Sequence, residues 1–379
     1  KKFFYIFFIF FFISLILIYF YPADHELKYI DVAENILNGC GISFSLPDSN
    51  DCIPAYGPNG PGYPYFLAIL KSVFDNDNFI KVTQICIYLF SILFLKKQIT
   101  KTTGSKITGD FTFIILSVSP LTLSWSRFIL PEIIMISLSL IFIGYLIKSL
   151  TKKKFYNIEI CLLFVTMTFV RADAIFFIVP ILYLIFKLYI FKEALKKILV
   201  FSIIFAIPWC IWTYRNFHSG ASIFPNIHES YETRTKEKFP SGYSQWILTW
   251  AFQQYDFAYA LNPTHLNQLD KNKNFNYEDI KIKEDIYFND EEKYETIKLF
   301  NELKLNSGKP FPEHIDKKFE VLAKARANEN KMHNYVVLPI KRSINLWFNP
   351  YYSHGWPVEL QTKLHDNKIN LNNKSIFEK

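Results

Sequence analysis

The stretch DHELKYIDVAENILNGCGISF, residues 24–44, decides how the chain is read. It opens with two acids, Asp24 and Glu26, directly after an uninterrupted apolar run, and leads on to a proline- and glycine-rich corner, YGPNGPG, residues 56–62. Leu27, Ile30, Ala33 and Leu37 recur at helical spacing, with Lys28, Asp31, Glu34 and Asn35 between them. That pattern predicts an amphipathic helix lying along a membrane surface. Gly39 follows the last periodic residue, in the position where a helix C-cap favours glycine. A carboxylate fixed at the lip of a bilayer is unusual, so residues 24–62 read as the floor of a membrane-embedded site.

Outward from this loop the chain reads as membrane spans. Phe3 to Tyr21 is apolar throughout, preceded by Lys1 and Lys2 and closed by Pro22. A signal peptide would need a shorter core and a small-residue cleavage site, so this is a first transmembrane helix with its N-terminus inside. Tyr63 to Phe74 is an aromatic-rich helix too short to cross. Residues 79–95, 111–125, 129–147, 156–170, 174–186 and 198–214 follow as six further apolar runs. The expected fold is mainly α, a polytopic transmembrane helical bundle over residues 1–216 with its first-loop interfacial helix within 24–62. After residue 216 no run is long enough to span, and a polar, mostly helical extracytoplasmic region over 217–379 is expected, with helices near 290–304 and 312–348. The Asn/Lys-rich stretches 266–275 and 367–374 read as exposed loops or a disordered tail. The chain starts without Met and stops abruptly, as a piece of a longer protein with further helices after Lys379 would.

Half of the 379 residues are hydrophobic, with 39 Phe and 23 Tyr, and only a fifth are charged. The formal net charge of +8 comes mostly from lysines in short loops and the polar tail, a sign of membrane topology rather than of nucleic-acid binding. Seven spans beginning inside put the lysine clusters at 96–106, 148–154 and 187–197 on the cytoplasmic side. The same alternation puts Arg127, Arg171 and Arg215 at helix ends on the opposite face, where the Asp24 loop emerges. Cations kept on the side that topology disfavours point to an anionic ligand there. The chain carries 6 Arg against 36 Lys, and lysine would serve as well if snorkelling to head groups were the only task. An arginine fork, by contrast, holds phosphate oxygens bidentately.

Each candidate has a plainer role beside the chemical one. Asp24 can cap a helix and Glu26 can favour its dipole; a carboxylate there can also take the proton of an acceptor hydroxyl as it attacks a sugar carbon. Glu132, after Pro131 at a helix start, suits the dipole and can also orient an arginine or the acceptor. The YGPNGPGYPY segment lacks the lysine and flanking strand of a nucleotide P-loop and reads as a rigid corner. The histidines show no metal-ligand spacing. Cys86, Cys161 and Cys210 sit in apolar runs as packing residues, whereas Cys40 and Cys52 share the first loop and can pair there.

In order along the chain stand D-x4-Y-x3-A-x-N-I-L-x-G-x-G (Asp24 to Gly41), P-G-Y-P (Pro61 to Pro64), R-x3-P-E (Arg127 to Glu132), V-R-A-D (Val170 to Asp173) and P-W-x4-Y-R-N (Pro208 to Asn216). This set resembles the GT-C class of membrane glycosyltransferases, in its family 39-like branch of protein O-mannosyltransferases and the lipid A aminoarabinose transferase. The resemblance covers residues 1 to about 220 and continues faintly at Leu338 to Trp347. It implies an inverting transferase that takes a sugar from a polyprenyl-phosphate donor, with a lipid, glycan or protein acceptor, a first-loop acid as base, no obligatory metal and no cofactor. Carried over, Asp24 is the base, and Arg171 and Arg215 contact the donor phosphate. The family's acid usually lies four residues before the tyrosine, where this chain has His25, so Glu26 stands beside Asp24 as a candidate. Arg127, Glu132, Tyr29, Tyr63 and Asn216 complete the candidate substrate-binding set. The active site is expected on the extracytoplasmic face of a plasma (inner) membrane. A non-catalytic flippase or lipid-sugar binding component is the alternative, and an ion-coupled transporter fits less well because few ionisable groups lie within the spans.

Overall fold

A computed structural model describes residues 2–20, 27–46, 49–55, 60–119, 122, 125–126, 128–222, 229, 232, 237–252, 256, 260, 277, 280 and 286–348. Two compact units emerge: the first takes Lys1–Ser45 and Asn50–Pro225, the second Leu46–Ser49 and Asn226–Ser353.

The first unit is a helical bundle. Its helices are α1 (Lys2–Phe20), α2 (Leu27–Leu37), α3 (Gly62–Val73), α4 (Asp77–Thr103), α5 (Lys106–Ser117), α6 (Pro131–Lys152), α7 (Asn157–Val170), α8 (Ile178–Leu188) and α9 (Phe191–His218). The boundaries follow local chemistry. The Asn76 side chain caps α4 by accepting from the N–H of Asn78 at 2.8 Å, and Gly104, at φ +68°, ends it in the left-handed conformation. Pro131 opens α6, where its missing N–H costs nothing. Buried Ile85, Tyr88, Leu89 and Ile92 of α4 form one core with Ile133, Ile134 and Leu140 of α6.

Every apolar run of the sequence contributes helix, but α4, α6 and α9 are the described helices long and apolar enough to cross a bilayer. Helices α5, α7 and α8 have 12, 14 and 11 residues, short of the roughly 20 that a hydrocarbon core requires. Seven full-length spans are therefore not what forms. The cut between α7 and α8 falls at Arg171, which is extended at φ −148°, and a 3-10 turn over Ala172–Phe177 follows it. Cys161 is buried as expected, whereas Cys86 and Cys210 lie on outward faces, which a membrane helix turns toward lipid.

The second unit contains α10 (Ser241–Leu248), α11 (Asp290–Lys304), α12 (Glu313–Glu329) and α13 (Leu338–Phe348). The helix expected over 312–348 is thus divided at Asn330, and a π turn at His333–Val337 leads into α13. Tyr243, Trp246, Leu299 and Phe319 form an aromatic core. At its edge Glu292 and Arg326 make a nearly buried ion pair at 2.9 Å. Glu292 also accepts from Trp246 Nε1 at 3.0 Å and from the Phe288 N–H at 2.7 Å, while Arg326 donates to the Ile286 carbonyl at 2.7 Å. With so many of its hydrogen bonds made, the pair avoids the heavy cost of an unsatisfied buried charge. The stretches 266–275 and 367–374 lie outside the described residues.

Candidate functional site

The first loop is a folded object. Helix α2 ends in a Schellman motif: the Cys40 N–H bonds the Asn35 carbonyl at 2.9 Å, the Gly39 N–H bonds the Ile36 carbonyl at 3.3 Å, and Gly39 takes φ +83°. Beyond it lies a two-stranded hairpin, β1 (Ser43–Leu46) and β2 (Ser49–Pro54), where the sequence shows only a connector. Cys40 and Cys52 are joined as a disulfide, with Cα atoms 5.7 Å apart. Buried Asn35 donates from Nδ2 to the Ser43 carbonyl at 3.0 Å, so the asparagine of the A-x-N-I-L motif pins the strand to the helix.

Helix α3 carries the PGYP corner and packs between α2 and α7. Lys71 on α3 pairs with Glu34 on α2 at 3.0 Å. A Cβ at Gly60 would stand 2.4 Å from the Phe169 carbonyl oxygen, and one at Gly62 would stand 2.9 Å from the Phe169 carbonyl carbon. These glycines therefore permit a backbone approach to the end of α7, two residues before Arg171. Tyr63 is fully buried. Its hydroxyl donates to Gln84 Oε1 at 2.8 Å, and Gln84 Nε2 donates to the Phe128 carbonyl at 3.1 Å. The Tyr29 ring meets the Tyr63 ring edge-on at 5.2 Å.

Arg171 joins two acids that lie in the motifs, Glu132 and Asp173. Nη1 donates to Glu132 Oε1 at 2.8 Å, and Nε and Nη2 each donate to Asp173 at 3.1 Å. The Asp173 bonds, then the charges of Asp173, Glu132 and Tyr29, hold the guanidinium above its usual range against the opposing effect of partial burial. Tyr29, the third residue after Glu26, thus lies within electrostatic reach of Arg171. These bonds use three of the five N–H donors of an arginine, leaving one on each Nη. Glu132 lies in the first turn of α6 and pairs with Arg171. Its Oε2 is buried and without a hydrogen-bond partner among the described residues.

Arg215, at the end of α9, faces the other end of the loop. Nη1 donates to the Ala55 carbonyl and to Asn216 Oδ1, both at 3.0 Å, and Nη2 donates to the Ile42 carbonyl. Its guanidinium lies 5.2 Å from the centre of the Trp212 ring. Asn216 is 1 % exposed and orients Arg215. Phe169, two residues before Arg171, meets Trp209 of α9 at 5.2 Å, and Trp209 donates to Thr168 at 3.2 Å. Trp209 and Thr168 also wall a cavity of about 860 Å³. Ala172, Ile175, Phe205 and Tyr214 line it as well, so it borders on the sequence neighbours of both arginines.

Asp24, Glu26 and Arg127 lie outside the described residues. No cluster of three His, Cys, Asp or Glu side chains suited to a metal ion occurs among the described residues. Two polar groups that the sequence does not single out belong to the same region: Lys81, 5 % exposed, lies one turn before the fully buried Gln84 on α4. Their only signal is a polar residue inside an apolar run, where a buried charge marks function or pairing.

No curated protein and no solved structure matches the chain. The family described as dolichyl-phosphate-mannose-protein mannosyltransferase matches over residues 58–212. That range holds the PGYP corner, Gln84, Glu132, Arg171 and Asp173, and it stops short of Arg215. Over residues 58–212, then, this chain is similar to that family, and the similarity supports a membrane glycosyltransferase of the GT-C type.

Proposed function

We propose that the chain moves a sugar from a polyprenyl-phosphate donor to an acceptor hydroxyl on the extracytoplasmic side of a plasma (inner) membrane, with inversion at the sugar carbon. A first-loop carboxylate, Asp24 or Glu26, takes the proton of the acceptor hydroxyl. The acceptor oxygen forms its bond to the anomeric carbon as the bond from that carbon to the phosphate oxygen breaks. The polyprenyl phosphate leaves with the electron pair, and the Arg171 guanidinium stabilises its charge. Glu132 holds Arg171 from behind, and its buried second oxygen suits a hydrogen bond from the acceptor. Arg215, with Asn216 behind it, adds positive charge at the far end of the loop.

One observation carries this reading: across more than 140 positions, Tyr29 meets Tyr63, Gly60 and Gly62 abut the Phe169 backbone two residues before Arg171, and Arg171 pairs with Glu132 and lies within electrostatic reach of Tyr29. The neighbouring cavity of about 860 Å³ has the size and apolar walls that suit part of a prenyl chain. The Cys40–Cys52 disulfide supports an outward-facing loop, since such bonds persist on the oxidising side of a membrane. The test is to incubate the purified chain with labelled polyprenyl-phosphate mannose and an acceptor mixture. Release of polyprenyl phosphate that is abolished in the D24N/E26Q double variant is the expected result. Turnover retained in that variant would remove the base assignment. Binding of the donor without bond cleavage would make the protein a lipid-sugar binder instead.

A further inference from the structure

Met332, Tyr335, Val336, Ile340 and Ile344 are between 40 and 71 % exposed. They recur at spacings of three and four from the π turn into α13, with exposed Pro339 and Ser343 between them and no charge among them. The opposite side of the helix is anchored. Leu338 is 2 % exposed, and Arg342 donates to the Ala251 carbonyl at 2.7 and 2.9 Å and to the Leu248 carbonyl at 2.5 Å. A cation under the carbonyls at the end of α10 is favourably placed, so α13 cannot roll its apolar side inward without stranding Arg342. Exposed Lys331 and Lys341 flank the stripe.

We propose that this stripe lies in the headgroup region of the bilayer, as an interfacial helix of the second unit. A short tether joins that unit to α9, a helix long and apolar enough to cross a bilayer. Asn226 follows the last residue of α9 by eight positions, at most about 26–29 Å of extended chain. Two flanking lysines match an anionic lipid surface, and an uncharged apolar strip between basic flanks is the pattern that sinks into the boundary between headgroups and acyl chains. An aqueous role for the same strip would leave five large apolar side chains in one row facing water, which soluble surfaces rarely do.

The test uses the full chain in nanodiscs containing phosphatidylglycerol, with Cys86, Cys161 and Cys210 replaced by alanine and a bimane probe attached through I340C. A second variant, Y294C, carries the probe on α11, where Tyr294 is 68 % exposed. The I340C probe is expected to shift to the blue and lose most of its emission when the lipids carry brominated acyl chains, while resisting aqueous iodide. The Y294C probe is expected to do the reverse. Quenching at I340C by iodide and not by brominated lipid would put the stripe in water and overturn the proposal. Protection from both quenchers would mean that protein covers it, which overturns the proposal equally.

Discussion

Replacing Gly60 with alanine tests whether the loop and Arg171 act as one assembly. The added methyl would stand 2.4 Å from the Phe169 carbonyl oxygen, 2.7 Å from its Cα and 2.8 Å from its carbonyl carbon. A carbon–oxygen contact relaxes at about 3.3 Å, so the two backbones must separate by roughly 0.9 Å. Tyr63 and Gln84 hold the start of α3, which leaves the end of α7, and with it Arg171, to move. Overpacking of this kind costs about 1–3 kcal/mol. A misplacement near 1 Å in a positioning group lowers turnover by about 10²-fold. G62A, with a nearest approach of 2.9 Å, needs a smaller shift and a smaller loss. The control is G104A: Gly104 has φ +68° with nothing within 4 Å, so alanine there adds about 1–2 kcal/mol of left-handed strain far from the PGYP corner. Turnover of labelled polyprenyl-phosphate mannose, measured well below the unfolding temperature, should fall in the order G104A, G62A, G60A, even though G60A and G104A both melt earlier. Equal turnover in G60A and G104A would refute the coupling, because activity would then track stability alone.

Other substitutions probe the remaining contacts. D173N removes one of the two carboxylates that neutralise Arg171; relief of roughly 1 kcal/mol of repulsion toward a phosphate should lower the donor KM about fivefold, and a raised KM would show that Asp173 positions the arginine rather than competing for it. R215A strands the Ile42 and Ala55 carbonyls and should cost about 1.5–3 kcal/mol, read as faster reduction of the Cys40–Cys52 bond under a fixed thiol concentration; an unchanged reduction rate would argue against that clamp. R326A leaves Glu292 charged and nearly buried, a loss of about 3–5 kcal/mol that tryptophan emission should report as earlier unfolding of the second unit. Asp316 accepts from the Tyr243 N–H at 2.8 Å, and burial raises its carboxyl above the usual range. Its contribution to stability is therefore present at low pH and lost as pH rises through the raised folded-state value. D316N, which keeps an acceptor and carries no charge, should flatten that dependence, and an unaltered pH–stability curve would exclude it.

What was legible in the sequence were features that break a pattern. Arg171 and Glu132 stand out because a charge at the end of an apolar run has few reasons to be there, and they meet at 2.8 Å. Gly39 was readable from the stop of a helical repeat. The PGYP corner was readable as rigid, but its reason, contact with the backbone of Phe169, depends on a residue more than a hundred positions away. Arg215 shows the same limit more sharply. Its partners are two backbone carbonyls, and every residue has one, so no side chain in the sequence announces the contact. The hairpin was missed because β1 and β2 have only 4 and 6 residues, too few for alternation to rise above chance. The seven runs overstated the spans because hydropathy does not register where a helix breaks, as α7 does at Arg171.

The clamp on the first loop also orders events in time. Ala55 and its partner Arg215 are 160 positions apart, a gap that translation at about 5–20 residues per second crosses in roughly 8–32 s. Through that interval the sulfur bridge, the helix stop at Gly39 and the Asn35 bond to Ser43 are local ties that keep the hairpin in shape while two carbonyls wait for the guanidinium. A nascent chain denied that bridge would present α9 with a loop still searching for its form, and the damage would be done at birth rather than in the finished protein.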